Sequence, residues 1–321
     1  MILFQNLCLI PIMTLMSILT LSLSNMIMIW FVMEINNFMF ISMMMMDTKE
    51  KKMIFLYFIT QMMASTLMII SLIINPLMMV SLSQIFMFSS LMIKGGIPPF
   101  HFWMPLISMF LEWKTIFFLC TIQKVIPLNM FNLFNLSNLM IITITFMTLV
   151  IPSISMMTMK NFKKLIIYSS INQSGWMIIL IFLKHPFWLM YMMMYSLMMF
   201  LISFFIGTSK LSNTFFQYPM KKFNMVFTLM MMNMASMPPF SFFLFKWSST
   251  FIIILNSNMK FILILMLINS LIMTYVYINM MSWSLFIYQF KSKMKESSTK
   301  FKLTKSTLII IMIILPIFIL C

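Results

Sequence analysis

Four ionisable side chains stand inside runs that are otherwise hydrocarbon: Glu34 in MIWFVMEINNFMF, Lys94 in LMIKGGIPPFHFW, Lys124 in CTIQKVIPL and Lys246 in FSFFLFKWSS. A charge at the centre of a membrane helix costs about 2.5–3.5 kcal/mol even on the lenient insertion scale. Four unpaired charges would therefore cost about 10 kcal/mol, as much as the net stability of many domains. They must face one another, or water, inside a helical bundle. A carboxylate and a row of buried lysines are what a proton path needs. Low-dielectric burial disfavours the charged form of either group, which brings both toward proton exchange near neutrality. Neighbouring charges then shift those affinities, so a change at one end passes along the row. The bland alternative is a set of static ion pairs or snorkelling side chains that fix helix register. It weighs most for Lys246, beside the aromatic Trp247. It weighs least for Glu34 and Lys94, because buried pairs stabilise poorly compared with apolar packing. Gln123 and His101 extend the row if they hydrogen-bond along it; their plainer roles are packing for Gln123 and a satisfied buried histidine for His101.

Two of these lysines adjoin sequence that cannot remain helical. Gly95 and Gly96 loosen the backbone, and Pro98 and Pro99 lack the N–H that a helix interior requires. The same grammar returns in MASMPPFSFFLFKW, Met234 to Trp247, with Pro238 and Pro239 ahead of Lys246. A broken helix beside a charge survives at bilayer depth only when protein or internal water surrounds it. This combination points to an ion or substrate path.

Composition sets the class of molecule. With 62% hydrophobic residues, 8% charged residues and a mean hydropathy of +1.04, there is too little polar surface to wrap a water-soluble core. The chain is expected to be an all-α polytopic membrane protein, a single membrane-embedded domain over 1–321 with no soluble domain. Every basic residue is lysine, alanine occurs only at Ala64 and Ala235, and methionine, at 48, is abundant. That bias fits an AT-rich organelle genome in which AUA is read as Met; the bland alternative is an AT-rich bacterial symbiont. Cys8, Cys120 and Cys321 lie far apart in apolar sequence and read as inert thiols. With no lysine in the first twenty residues, neither a transit peptide nor a signal-peptide n-region is expected, and the chain is expected to begin as a membrane helix. No glycine-rich phosphate loop or cysteine cluster is present, and His101 and His185 are too isolated for haem or metal. No cofactor or metal site in this chain, and no nucleic-acid partner, is expected.

Apolar runs of about 20 residues read as spans. Eleven are expected: Leu7–Ser24, Met26–Met46, Met53–Ile74, Pro76–Pro99, Trp113–Leu133, Ser137–Thr158, Leu165–Leu183, Phe187–Gly207, Met225–Leu255, Met259–Ser282 and Thr307–Cys321. The fourth, continuing into Phe100–Leu111, and the ninth are each drawn as two half-helices. Sixteen of the 21 lysines, Lys163 among them, fall in loops after even-numbered spans, and only Lys184 and Lys260 in loops after odd-numbered ones. By the positive-inside rule the N-terminus lies on the positive side and the C-terminus opposite. The stretch Gln289 to Ser306, six lysines against Glu296, suits anionic headgroups or is simply a solvated loop.

At these residues the sequence resembles the subunit 2 family of mitochondrial NADH:ubiquinone oxidoreductase, complex I, in its short animal, arthropod-like form. MEINNF at Met33–Phe38 is similar to the family's GLEIN element. MIKGGIPPFHFWMP at Met92–Pro105, IQKVIP at Ile122–Pro127, KKLIIYSSINQSGWM at Lys163–Met177 and MPPFSFFLFKW at Met237–Trp247 resemble four further family motifs in order. The resemblance implies antiporter-like inverted repeats with two broken helices, in the mitochondrial inner membrane, the N-terminus in the matrix and the C-terminus in the intermembrane space. It implies that Glu34 and Lys94 form a coupling pair, that Lys124 is the central proton carrier, and that Lys246 leads to the next subunit or the exit. It also implies that NAD, FMN, iron–sulfur clusters and ubiquinone belong to partner subunits, that the partners are other membrane-arm subunits, and that lipids such as cardiolipin surround them. Leu106 stands where the family often has a glutamate, Ala235-Ser236 replace a glycine pair, and Phe242 replaces a glycine. The rival readings are a free-standing cation/proton antiporter, whose chains are usually longer, and a purely structural membrane subunit.

Overall fold

Hydrocarbon offers a peptide group no hydrogen-bond partner, so a chain this apolar must satisfy its backbone within each segment, and helices do so. The computed structural model describes residues 2–48, 50–74, 80–134, 138–209, 225–238, 240–256 and 260–292, and among them it is helical with no strand. Helices α1 (Ile2–Ser22), α2 (Met26–Asp47) and α3 (Lys51–Ile74) are unbroken. Asn25 starts α2 as an N-cap, its side-chain oxygen accepting from the N–H of Ile27 at 3.1 Å. Next come α4 (Val80–Gly95) and α5 (Trp103–Ser108), separated by the first proline pair, then α6 (Trp113–Cys120) and α7 (Ile122–Leu133). Helices α8 (Asn138–Thr158), α9 (Phe162–Phe182) and α10 (Phe187–Ser209) run unbroken. The second proline pair separates α11 (Met225–Met234) from α12 (Ser241–Asn256), and α13 (Lys260–Ser292) follows.

Both expected helix breaks are present, and the structure adds a third. The span Trp113–Leu133, expected to be continuous, is interrupted at Thr121, where φ is −115° and ψ −81°. Pro127, six residues on, lies inside α7 and leaves the carbonyl of Gln123 without its N–H partner, but it does not end the helix there. Both the N–H and the hydroxyl of Thr121 turn back to the carbonyl of Phe117, at 3.1 and 2.7 Å, and the N–H of Lys124 reaches the carbonyl of Thr121. Counting each pair of half-helices as one pass gives ten among the described residues, and seven segments are each long and apolar enough to cross a bilayer. The eleventh expected span, Thr307–Cys321, and the lysine-rich stretch past Ser292 lie outside the described residues.

Helix α9 is the axis of the bundle: 94% of its span is buried, against a third to a half for α2, α3, α8 and α13. Its sequence explains this placement. Ser169, Ser170, Asn172, Gln173 and Ser174 would be costly against lipid, so the helix is wrapped by others. Gly175 lets α8 come close, since a Cβ there would lie 2.7 Å from the hydroxyl of Thr148. Ser169 and Ser170 return their hydroxyls to carbonyls one turn back, at 2.7 Å each. Asn172 and Asn269 of α13 exchange amide hydrogen bonds of 3.1 and 2.6 Å. Replacing Asn269 with Leu orphans the buried amide of Asn172 and is expected to destabilise the chain by about 1–3 kcal/mol. The double exchange N172L/N269L should recover part of that loss in thermal unfolding of the detergent-solubilised protein, because no polar group is then left unpaired.

Candidate functional site

The two proline breaks are built alike. At the end of α4 the N–H of Gly96 bonds the carbonyl of Ile93 and that of Ile97 bonds the carbonyl of Met92, closing the helix with Gly96 at φ +62°. At the end of α11 the N–H of Ser236 bonds the carbonyl of Asn233 and that of Met237 bonds the carbonyl of Met232, with Ser236 at φ +55°. A side chain then spans each gap. The indole N–H of Trp103 in α5 donates back to the carbonyl of Ile93 at 3.1 Å. Asn233 in α11 reaches forward, its Oδ1 accepting from the N–H of Phe242 at 3.0 Å and its Nδ2 donating to Ser241 at 3.1 Å. That bond takes up a donor which the first turn of α12 would otherwise leave free.

Each break presents a lysine inward. Lys94, in the last turn of α4, is buried and donates to Glu34 of α2 at 2.5 Å, the side chain of Glu34 being 12% exposed. The carbonyl-rich end of α4 favours a cation there as well. Lys124, just past the Thr121 break, is buried and donates to the hydroxyl of Ser170 at 3.1 Å. Lys246, in α12, is buried and donates to Ser236 at 2.9 Å, its ammonium 5.8 Å from the ring centres of Trp176 and Phe242. Trp247 next to it is 66% exposed, so the tryptophan faces outward while the lysine faces the bundle, and snorkelling does not describe Lys246. Among the described residues, Glu34 and Lys94 form an ion pair whereas Lys124 and Lys246 meet hydroxyls and rings. The structure thus brings two of the four charges into contact and joins the other two to one helix: Ser170 and Trp176 lie on α9, about 9 Å apart along its axis. Between them Gln173 accepts from the hydroxyl of Tyr191 at 2.6 Å.

Gln123 donates to the backbone carbonyl of Asn36 at 3.4 Å, tying α7 to α2 two residues past Glu34. Asn36 is fully buried with neither amide atom bonded to protein, and His101, hydrogen-bonded to the backbone of Pro99, has no partner for Nδ1. Buried amides and imidazoles of this kind are ordinarily hydrated. Lys163, expected in a loop, is instead buried. Its ammonium donates to the carbonyls of Leu111 and Met109, at 2.6 and 3.4 Å, just beyond α5, and lies 5.8 Å from the Trp113 ring. A lysine in the first turn of a helix looks like any interfacial lysine, so nothing but the run of Lys163–Met177 could have marked it. A wide groove lined by Phe38, Met45, Asp47, Lys51, Lys52 and Glu112 lies elsewhere, and none of the four charges lines it.

Relatives and solved structures agree with this architecture. The family model described as NADH:quinone oxidoreductase/Mrp antiporter, TM, matches residues 11–274. NADH-ubiquinone oxidoreductase chain 2 of Anopheles gambiae is 30% identical over 310 residues, covering 87% of this chain and 86% of that protein. The protein of the same name from Rhipicephalus sanguineus is 35% identical over 281 residues, 86% of this chain and 88% of its own. In fold, the chain is similar to one in respiratory complex I from Thermus thermophilus, with a TM-score of 0.77 and 15% identity over 88% of this chain and 70% of that one. It is also similar to a chain of the Mrp complex from Dietzia, with a TM-score of 0.71 and 13% identity over 84% of this chain and 59% of that one. A buried carboxylate–lysine pair at one helix break, lysines at two others, and relatives matched nearly end to end lead to one assignment: the chain belongs to the NADH-ubiquinone oxidoreductase chain 2 family.

Proposed function

We propose that this chain is a core membrane-arm subunit of mitochondrial NADH:ubiquinone oxidoreductase and that it carries a proton path driven by electron transfer from NADH to ubiquinone in other subunits. The observation that carries the reading is Lys124: buried at mid-span, beside a helix break, and bonded to a neutral hydroxyl rather than a carboxylate. A lysine serving only as a staple would be matched by an acid, because an unmatched buried charge is expensive. Glu34 and Lys94 are the coupling pair, Lys124 the central carrier, and Lys246 the group leading onward. Asn36, Gln123, Gln173 and Tyr191 extend hydrogen bonding between them, and hydrated buried amides supply the mobile links.

The chain itself contributes no redox centre; NAD, FMN, iron–sulfur clusters and ubiquinone sit with partner subunits. Its partners are the neighbouring membrane-arm subunits and the lipids of the mitochondrial inner membrane, with the N-terminus in the matrix, the C-terminus in the intermembrane space, and the whole chain one embedded domain. The likeness to an Mrp complex chain favours a second reading, cation/proton antiport without a redox partner. Replacing Lys246 with Met separates the two. In proteoliposomes of the assembled enzyme, K246M should lower NADH-driven proton uptake several-fold while NADH oxidation by a water-soluble acceptor is unchanged. Undiminished proton uptake would remove Lys246 from the path, and sodium-dependent proton exchange without NADH would favour the antiporter.

A further inference from the structure

Ser236 stands where the backbone asks for glycine. Its φ of +55° is the left-handed conformation that closes a helix, which an L side chain adopts only at a cost. The equivalent position at the first break is Gly96, at φ +62°, where a Cβ would lie 2.8 Å from the sulfur of Met104. At the second break the side chain is tolerated and engaged. The Ser236 hydroxyl donates to the carbonyl of Ala235 at 2.6 Å, which fixes its proton away from Lys246, and its oxygen accepts from the Lys246 ammonium at 2.9 Å. Among the described residues, the other groups against that ammonium are the rings of Trp176 from α9 and Phe242 from α12, neither of which titrates. Lys94 finds its oxygen on a carboxylate from another helix; Lys246 finds its oxygen on the break itself.

We propose that Ser236 is a positioning residue for Lys246, its hydroxyl holding the ammonium at the second helix break in the place that a carboxylate takes at the first. The strained backbone persists because the oxygen it carries is the ammonium's hydrogen-bond acceptor. This rests on the relay reading of Lys246 and adds to it a specific partner. Since the break and the lysine are joined by that one bond, any change in the turn at 235–237 moves the proton carrier with it.

Substitutions separate hydroxyl from backbone. In the assembled enzyme in proteoliposomes, S236G relieves the left-handed strain and removes the acceptor, whereas S236A removes the acceptor and keeps the strain. Asparagine tolerates the left-handed region and restores an oxygen. The expected result is that S236G and S236A both shift the pH profile of NADH-driven proton uptake toward acid by about one unit, the size of a lost hydrogen bond to a charged group. S236N should return the profile toward the parent. S236G should assemble and melt at or above the parent temperature, so its altered profile is not a folding defect. A parental profile in S236G, or a shift in S236A alone, overturns the proposal and leaves a purely conformational role. K246M run alongside shows which idea has failed: if it pumps normally the relay reading falls, and if it does not pump while S236G is parental, only the role of Ser236 falls.

Discussion

Replacing Lys124 with Met is expected to leave an enzyme that assembles and still passes electrons from NADH to a water-soluble acceptor, but whose proton uptake falls by about 100-fold or more. Methionine matches the lysine stem in length and needs no hydration, so the bundle loses a buried charge and gains apolar packing; stability should hold or rise. The hydroxyl of Ser170 stays satisfied through the carbonyl of Ile167 at 2.7 Å, so no polar group is orphaned. What disappears is the only titratable nitrogen that α7 presents to α9. Native electrophoresis checks assembly, and proton-to-electron stoichiometry in proteoliposomes checks the chemistry. Normal stoichiometry in K124M would take Lys124 out of the path.

The Glu34–Lys94 pair should show a different pattern, because its members are matched to one another. Removing one partner of a buried pair leaves a charge without compensation and costs about 3–5 kcal/mol. Glu34→Gln should be the more damaging single change to stability, since it strands the more deeply buried Lys94, while Lys94→Met leaves a carboxylate with some access to solvent. The double exchange E34Q/K94M should recover much of the stability, with a coupling energy of about 1–3 kcal/mol between the two sites. It should not recover coupled turnover, because a neutral pair has no charge to change. A double variant that oxidises NADH with full proton uptake would make the pair a structural staple. Thermal melting and proton uptake measured on the same preparations resolve the two effects.

Which features could be read from the sequence follows from how local their causes are. The proline pairs at Pro98-Pro99 and Pro238-Pro239 forbid helix by covalent geometry, so the two breaks were legible before any tertiary contact was known. The meeting of Glu34 with Lys94, 60 positions apart, was legible as a need for compensation; the motifs they share with a known family supplied the pairing. The break at Thr121 is not legible, since Pro127 lies six residues beyond it inside α7 and a lone proline inside a membrane helix usually bends it without ending it. Pro11 and Pro152 lie inside α1 and α8 without breaking them. The burial of Lys163 was not legible, since it depends on orphaned carbonyls near Leu111 that exist only once α5 has ended. Lys163 therefore does not belong among the loop lysines.

The polar heart of α9 bears on how the chain enters the bilayer. Asn172 finds its match on Asn269 and Gln173 finds its match on Tyr191, so each amide waits for a segment synthesised later. A nascent chain halted after α9 would hold two amides against acyl tails, while one that has reached α13 has enclosed both. Insertion must therefore keep α9 sheltered, beside the insertase or behind α8, until the last third of the chain arrives. A truncated product would announce its incompleteness to membrane proteases through the same residues that anchor the finished bundle.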